Sequence, residues 1–353
     1  MCGIAGVYLL DDSLKVNLDS MLDTMLDEIE HRGGDATGFV ALGESGVLEW
    51  QKASCGANKF AHGRRRVPEG TRTLLAHTRW ATQGDPAFIE NNHPLRRGSF
   101  YAIHNGHVSN DGQLFELAGR DRYGQVDSEA VPARLASLGK LDGLKIVMEE
   151  IRGAAAIAAV DEDHPKDLAL ARGYSSPLFV LRTKKIVLFG STPQTVEQAY
   201  EKHIGKMPKR ATVERIAEGK MLLFKNGVLR KMDFKPYSPP KVAKQTTYAW
   251  QEVSKATPKE LASVTGWNND GDMIDCDDCG AVMSWQQAEF RKDMDEVTLQ
   301  LCHDCASIMD DDEAWNEMID AQIDRDYVVP ACEVPVVVVD DFDAANAAIL
   351  EAS

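Results

Sequence analysis

Residues 77–95 read HTRWATQGDPAFIENNHPL. The run TLLAHTRWAT at 73–82 has the apolar character of a short strand, and Arg79 stands near its end. A polar stretch containing glycine and proline follows and closes on Asn91-x-His93-Pro94. An arginine at a strand end has an ordinary structural reading. Its meaning depends on three further segments: MCGIAG at 1–6, HRGGDATG at 31–38 and IHNGHVSN at 103–110. Each of these is weak alone. A buried cysteine, a Gly-rich loop and an Asn-Gly pair all have bland readings, and Asn105-Gly106 as a bare pattern is a hairpin turn.

Around these segments the patterning alternates between two periods. Residues 4–10 read as a strand. Leu18, Met21, Leu22, Met25, Leu26 and Ile29 recur at helical spacing and predict a helix over 18–30, with Gly33 and Gly34 as a stop. FVALG, VLEWQK, AAAIAAVD, LALARGY, PLFVLRT and KIVLFGS are strand-like; 128–138, 141–152 and 195–203 read as helices. MLLFKNGVLRKM predicts a hairpin turning at Asn226-Gly227. Many strands without regular βαβ alternation imply an α+β fold rather than a doubly wound sheet.

Composition narrows the function. The chain of 353 residues carries a formal charge of −16 and is 44 % hydrophobic, so a sizeable core is expected and a nucleic-acid partner is not. The cluster Arg64-Arg65-Arg66 reads as a solvated loop. No apolar run approaches the ~18 residues of a membrane span, and no signal peptide is read at the start, so a cytoplasmic location is expected.

In this order and at these intervals, Cys2, HRGGDATG, HTRWAT with Asn91-x-His93-Pro94, His104-Asn105-Gly106 and Asp127-Ser128-Glu129 resemble the glutaminase domain of class II glutamine amidotransferases. Those are N-terminal-nucleophile enzymes, typified by glucosamine-6-phosphate synthase and amidophosphoribosyltransferase. The resemblance spans residues 2–235 and implies a four-layer αββα sandwich of two antiparallel sheets. It also implies hydrolysis of L-glutamine to glutamate and ammonia through a thioester on Cys2, with no cofactor for that step. The chemistry suits the residue. An unperturbed thiol titrates near about 8.5 and an α-amine near about 7.7–8.0, so removal of Met1 would make Cys2 both nucleophile and, through a bridging water, base.

The resemblance assigns further roles. Asn105 and Gly106 would form the oxyanion hole, Arg79 would hold the α-carboxylate of glutamine and Asp127 its α-ammonium. Trp80 and Thr82 would shape the pocket. Arg32, Asp35 and Gly38 would belong to the loop beside the nucleophile, and His93 would support the loop rather than move protons. Gln83 and Ala36 depart from the family's usual histidine and serine, and the contact at 83 is expected through the backbone.

Beyond a Pro-containing linker at 236–270, the pattern Cys276-x2-Cys279 and Cys302-x2-Cys305 reads as a structural Zn2+ site, held by four cysteines in a zinc-ribbon-like module over 271–310. A redox dithiol pair is the alternative. An acidic tail over 311–353 follows. The remaining cysteines, Cys55 and Cys332, carry no assigned function. No acceptor-synthase motif is read, so ammonia is expected to pass to a synthase on another chain. Two other readings stand beside this one: a catalytically idle glutaminase fold acting through its zinc module, and the same chemistry on another amide.

Overall fold

The strand-like runs pair into two sheets. The computed structural model describes residues 2–11, 13–208 and 211–239, and four short strands beyond them. The chain divides into one unit of residues 1–239 with 333–353 and a second of 240–332. In the first unit lie β1 (Gly3–Leu9), α1 (Leu18–Glu30), β2 (Ala36–Gly43), β3 (Gly46–Ala53), α2 (Ala57–Gly63) and β4 (Thr73–Arg79). Then come β5 (Leu95–Arg97), β6 (Phe100–Val108), α3 (Asp111–Ala118), α4 (Ala130–Leu138), α5 (Leu144–Glu150), β7 (Gly153–Asp161) and β8 (Asp167–Arg172). The unit continues with β9 (Phe179–Arg182), β10 (Ile186–Gly190), α6 (Pro193–His203), β11 (Glu214–Arg215), β12 (Lys220–Lys225) and β13 (Val228–Asp233).

One sheet has the order β11-β9-β10-β1-β4-β2-β3 and the other β13-β12-β8-β7-β6-β5, and neighbouring strands are antiparallel. Side-chain alternation then sorts the core into three layers. In β1, Ala5, Val7 and Leu9 pack under α1 and α6 with Met21, Leu22, Met25, Leu26, Ile29, Val196 and Tyr200. Ile4 and Tyr8 face the opposite way, against Tyr101, Ile103, Leu168, Leu170 and Phe224 of the other sheet. That sheet's outer face meets Leu114, Phe115, Val131, Leu135, Leu144 and Val147 of α3, α4 and α5. The layers are therefore helix, sheet, sheet, helix, as the sequence reading expected of an α+β sandwich.

The helix expected over 18–30 forms as α1, because its apolar stripe is wide and its start is capped. The Asn17 side chain accepts the Ser20 N–H at 3.1 Å, and its replacement by alanine would cost about 1 kcal/mol. A buried leucine of that stripe cut to alanine would cost about 2–5 kcal/mol.

Three sequence expectations are corrected. Asn105-Gly106 is no turn: β6 runs straight through it, with Asn105 opposite Ala156 and Gly106 opposite Ala155 on β7. The same dipeptide at Asn226-Gly227 does turn, at φ 48° and 81°, where the flanking strands pair with each other. Arg64 is not solvated: its side chain is 3 % exposed and grips Asp19 and Asp23, each at 2.6 Å. Finally, Gly38 lies in strand β2 rather than in a loop.

The four strands of the second unit are β14 (Met273–Asp275) paired with β15 (Val282–Ser284), and β16 (Glu289–Lys292) paired with β17 (Thr298–Leu301). Both pairs are antiparallel. Cys276, Cys279, Cys302 and Cys305 lie outside the described residues, as do residues 240–270 of the linker and the acidic tail.

Candidate active site

The period of two along a strand decides which side chains meet. Leu75 of β4 points into the space between the sheets, so His77 and Arg79 do too. Ile4 of β1 shares that face with Cys2, and Ile103 of β6 shares it with Asn105. Four residues from three sequence segments therefore converge on one end of the inter-sheet layer.

Cys2 is half-buried, and its thiol points at the Trp80 carbonyl with Sγ 3.6 Å from the oxygen. Burial pushes the thiol up from its ordinary range, and the Arg79 guanidinium pulls the other way. The Cys2 carbonyl accepts the Arg32 Nε–H at 3.2 Å. Asp35 reaches the adjoining segment, taking the Ala81 N–H at 2.6 Å on Oδ2, while its own N–H donates to the Arg79 carbonyl at 3.0 Å. Trp80 is 56 % exposed, and Thr82 is exposed beside it on the loop.

Asn105 is fully buried, and neither Oδ1 nor Nδ2 has a hydrogen-bond partner. A buried amide without partners costs a few kcal/mol, which native structures retain where a ligand completes the bonding. Gly106 beside it has φ 145°, and a Cβ there would stand 2.0 Å from the Ala154 carbonyl oxygen, so only glycine lets β6 continue past β7.

Asp127 opens the turn before α4 and is buried. Its Oδ2 accepts the Val108 N–H at 2.5 Å and lies 3.3 Å from His107 Nδ1; its Oδ1 accepts the Ser128 hydroxyl at 3.3 Å. Ser128 in turn contacts His104 Nδ1 at 2.8 Å.

Arg79 is 2 % exposed. Its Nη1 donates to Asn92 Oδ1 at 2.9 Å, and its Nη2 to the carbonyls of Gln83 at 2.5 Å and Gly84 at 2.7 Å. Residue 83 thus contributes its backbone to Arg79, while its side chain donates to the Gln125 carbonyl at 3.0 Å. Gln125 also bonds Asp85 and Asn91, so the 120s loop and the 83–92 loop are tied together.

His93 stacks on His77 with ring centroids 4.0 Å apart, and both its ring nitrogens are buried without partners. Burial lowers His77 to about 3 and holds His93 well below the imidazole range, so both rings are neutral near pH 7. A Cβ at Gly38 would meet the His93 carbonyl at 2.2 Å, so this glycine admits the segment that carries the stacked ring. The sequence reading missed Asn92, Gln125, Lys52 and His107. Asn92 occupies the unspecified place in Asn91-x-His93-Pro94, and no periodicity marks any of the four. Among the described residues, no group of three or more His, Cys, Asp or Glu side chains could hold a metal ion. Nor is any helix among them long and apolar enough to cross a membrane.

Comparison with known proteins meets this geometry. No family model matches the chain. Over 189 residues, 51 % of its length, the chain is 30 % identical to glutamine–fructose-6-phosphate aminotransferase (isomerizing) of Haemophilus influenzae, covering 30 % of that protein. It is 32 % identical over 190 residues to the Streptococcus pneumoniae protein of the same name, again covering 30 % of it. The chain therefore spans less than a third of the length of these curated relatives. In fold it matches glutamine phosphoribosylpyrophosphate amidotransferase from B. subtilis with a TM-score of 0.52 at 20 % identity, covering 66 % of this chain and 49 % of that one. The N-terminal part of the chain is thus similar in sequence to part of these glutamine–fructose-6-phosphate aminotransferases, and it shares its fold with the glutamine phosphoribosylpyrophosphate amidotransferase.

Proposed function

We propose that this domain hydrolyses L-glutamine to glutamate and ammonia, with Cys2 as nucleophile. The observation that carries the reading is the fully buried Asn105 amide, which lacks any partner and shares the inner face with Cys2. With Met1 removed, the freed α-amine takes the thiol proton through a water. This base is needed because burial keeps the thiol protonated near neutral pH. Sulfur attacks the side-chain amide carbon. Its C=O π bond becomes an oxyanion, which the Asn105 Nδ2–H and the Gly106 N–H stabilise. The intermediate collapses, the C–N bond breaks, and the leaving nitrogen takes the proton and departs as ammonia. Water then cleaves the γ-glutamyl thioester and restores the thiol.

Arg79 pairs with the α-carboxylate and Asp127 with the α-ammonium; these two make a free α-amino acid the substrate. Trp80 and Thr82 line the entrance. Arg32 holds the Cys2 carbonyl, and Asp35 holds the 79–81 segment that the thiol faces. His93, buried and neutral, packs rather than transfers protons. The ammonia passes to an acceptor synthase on another chain. Cys276, Cys279, Cys302 and Cys305 hold a structural Zn2+, a reading supported by their spacing and checked by metal content before and after chelation.

The test is intact mass before and after incubation with a glutamine-like diazoketone. Loss of Met1 and a single adduct, absent in Cys2→Ala, is expected. A retained methionine with no adduct overturns the reading.

A further inference from the structure

Asn92 is fully buried, and all of its polar groups are engaged. Its Oδ1 accepts from Arg79 Nη1 at 2.9 Å; its Nδ2 donates to the Pro86 carbonyl at 2.8 Å and to Ser54 Oγ at 3.3 Å. Its backbone N–H donates to the Ile89 carbonyl at 3.1 Å, and its carbonyl accepts the Lys52 ammonium at 2.8 Å. Ser54 also donates to the Pro86 carbonyl. Asn92 therefore joins three things: the end of β3, the 83–86 loop and the guanidinium of Arg79.

The choice of amide is informative. A guanidinium has five N–H bonds, and here Asn92 with the Gln83 and Gly84 carbonyls fixes its direction through uncharged oxygens alone. An aspartate of nearly the same shape would fix it as well, but would neutralise the charge and compete with an incoming anion. An alanine would leave the Arg79 Nη1–H without its acceptor and loosen the guanidinium. Only the amide holds direction while leaving the positive charge unpaired.

We infer that Asn92 is a positioning residue, acting through Arg79, that sets the affinity of this site for the substrate's α-carboxylate. This rests on the glutaminase reading above and deepens it. Ser54 and Lys52 support the same bridge from β3, so the specificity of the loop is anchored in the sheet.

The experiment is steady-state glutaminase kinetics on full-length wild type, Asn92→Asp, Asn92→Ala, Arg79→Lys and the double variant Arg79→Lys/Asn92→Ala. Asn92→Asp is expected to raise KM for glutamine about 10-fold or more while kcat stays within about 3-fold, because the interaction lost is one to a charged group. Asn92→Ala is expected to do the same in the wild-type background and to add under about 2-fold once Arg79 is lysine, since the two residues act as a unit. If Asn92→Ala fails to fold by circular dichroism, the isosteric Asn92→Asp carries the test. An unchanged KM in folded Asn92→Asp, or fully multiplicative effects in the double variant, overturns the inference while glutaminase activity stands. A wild type that neither turns over glutamine nor takes the diazoketone overturns the glutaminase reading itself, and the role of Asn92 with it.

Discussion

Arg64, on the α1 flank of the sandwich, and Arg79, at the end of β4, both have buried side chains, but they are held by opposite chemistry. Arg64 pairs with the carboxylates of Asp19 and Asp23, and the pairing, with the Val67 N–H on Asp19, outweighs burial and keeps the Asp19 carboxyl below its ordinary range. Arg79 is held by an amide oxygen and two backbone carbonyls. A cation neutralised by carboxylates has nothing left to offer a ligand. One oriented by neutral dipoles keeps its charge for an anion that arrives later. Asn105 and His93, in contrast, have buried side-chain polar atoms without hydrogen-bond partners.

Four measurements test this contrast. The largest effect should come from Asn105→Ala, which removes the proposed oxyanion donor: kcat is expected to fall about 10²–10³-fold with KM little changed. A kcat within a few-fold of wild type would mean that the unpartnered amide serves some other purpose. Next, Arg79→Lys should raise KM for glutamine about 10–100-fold, because a point charge replaces a fixed fork. An unaltered KM would erase the distinction between the two arginines.

On the flank, Arg64→Met should leave KM alone and lower stability by about 1–2 kcal/mol in denaturant unfolding, since both carboxylates are partly exposed. A change in KM without loss of stability would break the comparison from its other side.

The smallest effect concerns a third cation. Lys52 donates to the Asn92 carbonyl, and burial brings it down to about 7, against the opposing pull of Glu90 and Glu129. Below about pH 7 both folded and unfolded chains carry its proton, and the cost of burying the charge is present in full. Between there and the ordinary lysine pKa of 10.5, the unfolded chain binds a proton that the folded chain lacks, so this group makes stability rise with pH. Lys52→Met should flatten that rise between pH 7 and about 10. An unchanged slope would show that Lys52 titrates normally in the folded protein.

Much of the sandwich was legible because it follows from short-range patterning. The stripe of α1 and the β12–β13 hairpin are encoded by residues close in sequence, and each formed where expected. Asn105-Gly106 was not legible in the same way. Its dipeptide is a turn signal, but pairing with β7 along its whole length keeps it extended, and that partner lies some fifty residues downstream. Arg64 was misread for a similar reason: its neighbours in sequence are arginines and a glycine, while its neighbours in space are two aspartates of α1. The helices α2 and α3 went unread because each is short, with two and three buried side chains to mark its inner face.

Residue identity alone supplied the set of chemically able residues and their order: Cys2, Arg79, Asn105, Gly106 and Asp127, in segments distinctive enough to carry the resemblance. Residue type and spacing are local properties, and they survive without coordinates. The tertiary structure alone decided that Cys2, His77, Arg79 and Asn105 share one inner face, because sheet register sets which side of a strand each side chain leaves. It alone placed Asn92 on Arg79, since a hydrogen bond made by a loop depends on where the chain returns. And it alone separated an arginine spent on structure from one left with its charge, because burial and partners exist only once the chain has packed.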